Sequence, residues 1–97
     1  MRTLEPLLSV EQKLSLTAGA DMWKTTALPH AGISEVRFAD GPMGLTGGRV
    51  DERDVALLTP SGVAMGASWD RDLVRRIGEL VGDEAIRLGV QAVLGPN

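Results

Sequence analysis

The chain has 97 residues, 43% of them apolar, and a net charge of −3, the profile of one small globular domain. Its ten basic residues are scattered between Arg2 and Arg87 without a run or stripe, which argues against a nucleic-acid partner. Absent cysteine excludes a disulfide scaffold, a thiolate metal site and a thiol nucleophile; a lone histidine, His30, excludes a multi-histidine metal centre.

The segment Met1 to Leu8 contains Glu5 and Pro6 where a signal peptide needs an unbroken apolar core, so the expected location is cytoplasmic. No apolar run approaches the roughly 20 residues that cross a bilayer, and no membrane partner is expected. Ser9-Val10-Glu11-Gln12 is a capping-box pattern. It predicts a helix over 10–18, with Val10, Leu14 and Ala18 at four-residue spacing and Gly19 as the stop. Residues 20–34 contain Pro29 and Gly32 and no clean period, which reads as loop anchored by Trp23.

The first strand is expected over 36–39, ended by Asp40-Gly41-Pro42. A carboxylate at the carboxyl end of a strand, followed by a forced bend, is how α/β proteins aim an acid into a ligand site. Residues 41–68 read as one long loop carrying Gly41, Gly44, Gly47, Gly48, Gly62 and Gly66. Loops of that length in compact domains are usually functional or disordered, and the moderate polarity here favours an ordered one. Asp70 caps a helix predicted over 71–88, whose stripe is Leu73, Val74, Ile77, Leu80, Val81, Ala85 and Leu88. Arg75–Glu79 and Asp83–Arg87 are spaced to pair, Gly89 closes the helix, and a second strand is expected over 90–94.

The order is helix, strand, long loop, helix, strand. Its last three elements form a βαβ unit, with adjacent parallel strands and a right-handed crossover. Such strands are covered on both faces, and one long helix with one short one cannot cover both. The expected architecture is therefore α/β and incomplete by itself, continuing past Asn97 or completed by further copies.

Each candidate residue has a competing structural reading. Asp40 is either a ligand-binding carboxylate, making charge-assisted bonds of about 1.5–3 kcal/mol each in a dry cleft, or a turn residue bonded to the backbone two positions on. The glycines over 41–48 lack both nucleotide-loop patterns, so tight backbone packing is the better account. Trp23 is a candidate for stacking on a ligand, Trp69 reads as a structural plug, and His30 as a surface or loop residue. The run Asp51 to Asp54 reads as a solvated loop tip rather than a metal site.

Ser9 to Lys13, Gly19 to Thr25, Gly32-Ile33, Val36 to Gly44, Pro60 to Asp70, Gly82 to Ala85 and Leu94 to Pro96 together, in this order, resemble the amino-terminal stretch of family 3 glycoside hydrolases, the β-glucosidase group. The resemblance spans nearly the whole chain. It implies that 1–97 is the opening portion of a (β/α) TIM-barrel-type domain, with the remainder of the enzyme beyond residue 97. It implies removal of terminal β-linked sugar from a glycoside or oligosaccharide with retention, without metal or organic cofactor.

In that family the Asp-Gly-Pro aspartate binds sugar hydroxyls, a role that falls on Asp40, with Gly41 and Pro42 shaping the site. The family's nucleophile and acid/base lie far downstream, so no catalytic residue is expected here and the chain alone should be silent. Retention needs two carboxyl groups about 5–5.5 Å apart, and Asp40 has no partner for that. The chain departs from the family at Leu45-Thr46-Gly47, where Val-Arg-Gly is frequent, while Arg49 fits a second family arginine. That leaves β-xylosidase, N-acetylglucosaminidase and arabinofuranosidase as substrate alternatives. A small non-catalytic module binding sugar or a protein partner is the reading from another class. No motif specifies an oligomeric state.

Overall fold

A computed structural model describes residues 8–47 and 55–95, which divide between two compact units, Met1–Arg37 and Phe38–Asn97. The expectations placed on residues 1–7, on Arg49 and the 51–54 run, and on 96–97 lie outside the described residues.

In the first unit, helix α1 covers Val10–Leu16. Ser9 Oγ accepts from Gln12 N at 3.2 Å and Gln12 Oε1 accepts from Ser9 N at 2.8 Å, the reciprocal box the sequence predicts. The helix ends earlier than expected. Ser15 and Thr17 turn their hydroxyls back to Gln12 O and Leu14 O, and Thr17 caps in a right-handed conformation. Gly19 is thus not the helix stop. It sits in an isolated bridge with Thr25, where a Cβ would lie 2.5 Å from Asp21 O.

The expected loop over 20–34 carries more order than its composition suggests. Antiparallel bridges join Lys24 to Arg37 and Leu28 to Ile33, around a single 3-10 turn at Pro29–Ala31 closed by Gly32 at φ 71°. Val36 donates its N–H to Thr25 Oγ1 and accepts from Thr25 N through its carbonyl. Trp23 is half-buried, and its backbone N–H donates to Asp21 Oδ1 at 2.7 Å.

The second unit is built on two parallel strands, β1 (Phe38–Asp40) and β2 (Ala92–Leu94), with Ala39 beside Val93 and Asp40 beside Leu94. Both are shorter than expected, for local reasons. Val36 and Arg37 spend their backbone on the first unit's bridges, and Val90 N is drawn to Ala85 O at the helix end. Between the strands lie α2 (Gly62–Ala67) and α3 (Arg71–Leu88). Helix α2 corrects the expectation of an unbroken loop over 41–68. Ser61 Oγ accepts from Ala64 N, a cap the flanking Gly62 and Gly66 conceal in the sequence.

Helix α3 forms as the sequence predicts, capped by Asp70 Oδ1 on Leu73 N and ended by Gly89 at φ 67°. The core is small: Ala39, Leu45, Ala85 and Val90 are buried, with Val81, Leu88, Val93 and Ala56 packed against them. Since Ala39 and Val93 are neighbours in register and both meet α3's residues, α3 covers that face of the sheet. Successive strand residues face opposite ways, so Asp40 and Leu94 point to the other face. Both are exposed there.

Two further readings change. Trp69 is 93% exposed and held at φ 51° between α2 and α3, so it plugs nothing among the described residues. Arg87 pairs with Glu84 rather than Asp83, while Arg75–Glu79 forms as spaced.

Candidate sugar-binding site

The site begins with backbone. Asp40 exchanges two hydrogen bonds with Thr46, N–H to carbonyl in each direction at 2.9 Å, which folds residues 41–45 into a closed turn. Gly41 stands at φ 151°, and a Cβ there would fall 2.1 Å from Gly44 O. Gly44, at φ 116°, faces Leu57 O so closely that a Cβ would fall 2.3 Å from it. These two positions accept only glycine. Thr59 N then donates to Met43 O at 3.0 Å, so the 55–59 segment braces the turn from outside.

The turn aims Asp40 without using it. The competing reading needs a backbone donor two residues on, but that residue is Pro42, which has no N–H. No hydrogen bond or ion pair engages the Asp40 carboxylate among the described residues. Gly41 and Pro42, expected from the family resemblance to shape a site, lie in the bend after β1, one buried and one exposed. The carboxylate itself is exposed rather than enclosed in a dry cleft. Trp23, the possible sugar contact, belongs to the first unit.

A cavity of about 340 Å³ lies close by, lined by Gly41, Pro42, Thr59, Val81, Val93 and Gly95 among others. Its walls are mostly apolar, and Val93 and Val81 place it on α3's side of the sheet, away from the face Asp40 points to. Thr59 Oγ1 is buried with no hydrogen-bond partner among the described residues.

Sequence reasoning missed the brace. Glu84 holds Arg87 through two bonds, Nε to Oε1 at 3.0 Å and Nη2 to Oε2 at 2.8 Å, and accepts Leu57 N at 3.3 Å. Arg87 also donates to Val55 O at 2.9 Å. The Arg87 guanidinium, with a lesser part from the Leu57 N–H, holds Glu84 below the usual glutamate range against the opposing effect of burial. The spacing of Asp83 and Arg87 pointed elsewhere, and no local pattern marks Glu84 as reaching a segment 27 residues away.

Among the described residues no group of three or more His, Cys, Asp or Glu could hold a metal ion. No helix of those residues is long and apolar enough to cross a membrane.

No family model matches the chain. It is 44% identical over 90 residues to probable β-glucosidase H of Emericella nidulans, and 41% identical over 96 residues to probable β-glucosidase I of Aspergillus flavus. These alignments cover 93% and 99% of this chain and 11% of each relative, so the chain spans about a ninth of the length of the curated relatives it matches. Among solved structures, β-glucosidase from Kluyveromyces marxianus in complex with glucose superposes with a TM-score of 0.83 at 31% identity. That match covers 97% of this chain and 12% of the other. The selenomethionine-labelled form of the same enzyme gives 0.87 at 32%.

Proposed function

We propose that the chain belongs to the β-glucosidase group of glycoside hydrolases and serves as the N-terminal part of a family 3 barrel domain within a longer enzyme. The reaction is removal of terminal β-linked glucose with retention, through a covalent glycosyl-enzyme. The nucleophile and acid/base come from outside residues 1–97, and these residues contribute one side of the sugar subsite.

One observation carries this reading: among the described residues the Asp40 carboxylate stands unengaged at the carboxyl end of β1, on the sheet face opposite α3. In a parallel α/β barrel that end of the strands gathers the chemistry. The exposure of Asp40 and Leu94 fits a face that further strands enclose. An acceptor-only carboxylate there takes hydrogen bonds from two sugar hydroxyls. The cavity beside α3 has no part in this, since it opens on the other side of the strands. That a solved relative is described in complex with glucose supports glucose over xylose or N-acetylglucosamine as the bound sugar.

The test is Asp40→Ala in the full-length enzyme, assayed on 4-nitrophenyl β-glucoside. The expected loss in kcat/KM corresponds to about 2–5 kcal/mol, the range for stripping one partner from an enclosed charge-assisted contact. A fall below about threefold with normal folding refutes the reading.

A further inference from the structure

We propose that the Glu84–Arg87 pair of α3 positions the Asp40 carboxylate, acting through the 55–59 segment. The inference rests on the sugar-binding reading of Asp40 and adds to it residues that touch no substrate.

The contacts run without a gap. Arg87 holds Val55 O, and Glu84 holds Leu57 N. The Leu57 carbonyl faces Gly44, where the backbone approach leaves no room even for a methyl group. Two residues on, Thr59 N holds Met43 O. Met43 and Gly44 sit inside the turn that Asp40 and Thr46 close with their paired backbone bonds. Every link is a backbone contact except the first pair, so this chain of links has little slack beyond the two side chains of α3.

Those two side chains are well suited to hold position. Glu84 is 15% exposed and grips Arg87 with both oxygens, a bidentate geometry that fixes direction as well as distance. Helix α3 is the longest regular element of the unit, and it is ended by a left-handed glycine cap. The pair therefore refers a long connecting segment, and through it the turn, to the stiffest element available. The cost of slack at such a site is large: a displacement near 1 Å can reduce a rate by about a hundredfold.

The experiment is a double-mutant cycle in the full-length enzyme, with kcat/KM on 4-nitrophenyl β-glucoside and urea denaturation of each variant. Glu84→Ala should lower kcat/KM about tenfold when Asp40 is present, and less than about twofold in the Asp40→Asn background. Its effect on stability should be the same in both backgrounds. Glu84→Gln keeps an oxygen for Leu57 N and should recover most of the loss. An equal fall in kcat/KM in both backgrounds makes the pair a plain stabilising contact and overturns the inference.

If Glu84→Ala does not fold, Arg87→Lys goes through the same cycle under the same criteria, because lysine keeps the charge but not the paired bonds. If Asp40→Asn alone changes kcat/KM by less than about threefold, the sugar-binding reading falls and this inference with it. If Asp40→Asn is damaging but uncoupled from Glu84, only the inference about α3 falls.

Discussion

The turn after β1 and the corner between α2 and α3 belong to the same unit and have nearly opposite constructions. In the turn, Gly41 and Gly44 press against carbonyl groups, Leu45 is buried, and paired backbone bonds close the loop. At the corner, Val63 is 86% exposed, Trp69 is 93% exposed in a left-handed conformation, and α2 contains no buried residue. The turn is determined from within by steric exclusion. The corner is determined mainly by its caps, with Ser61 and Asp70 each holding a helix N-terminus. The difference teaches that a turn's conformation can be held by close backbone packing in a unit whose apolar core is small.

Alanine at the turn should produce the largest break. Gly41→Ala places a methyl group into Gly44 O and is expected to destabilise by at least about 2 kcal/mol, read from the urea midpoint. A change below about 0.5 kcal/mol shows that the turn relaxes, and removes the steric half of the contrast. At the corner the sign should reverse. Trp69→Asn replaces an exposed indole with a residue that tolerates the left-handed region, and stability should rise by up to about 1 kcal/mol. A loss above about 1.5 kcal/mol instead means that the indole is covered in the intact protein.

Gly66→Ala, in α2 with open space at the Cβ position, should stabilise by about 0.5–1 kcal/mol through helix propensity. The smallest effect concerns pH. Glu84 has its affinity for protons lowered on folding, chiefly by Arg87, so the unfolded chain binds that proton more tightly. Its contribution is complete above the ordinary value of 4.5 and is lost as pH falls through the lowered one. Glu84→Gln should therefore lose less stability than the parent between about pH 6 and about pH 3, measured by urea midpoints. Glu11, lowered by hydrogen bonds from its own backbone and from Ser9, titrates in both proteins and cancels in the comparison.

Much of this was legible beforehand, and the particulars show why. Helix α3, its Asp70 cap, its Gly89 stop and the capping box at Ser9 all follow from contacts within four residues, which local pattern reports faithfully. The parallel pairing of β1 and β2 followed from the strand–helix–strand order. Helix α2 was hidden because Gly62 and Gly66 are poor helix formers, and the bridges of Lys24 and Leu28 because single backbone pairs leave no periodicity. Trp69 misled because aromatic residues are usually buried.

At the candidate site, the bend at Asp40-Gly41-Pro42 could be read from residue types alone. Pro42 even removes the one donor a competing turn bond would need. The chain's own letters thus determined helices α1 and α3, the strand order, the resemblance to a family and the residue at the strand end. Only the tertiary structure decided which sheet face Asp40 occupies, which carboxylate Arg87 takes and what braces the turn. Those choices join groups as far apart in sequence as Val55 and Arg87, and contact across such distances depends on how elements pack, which no local spacing encodes.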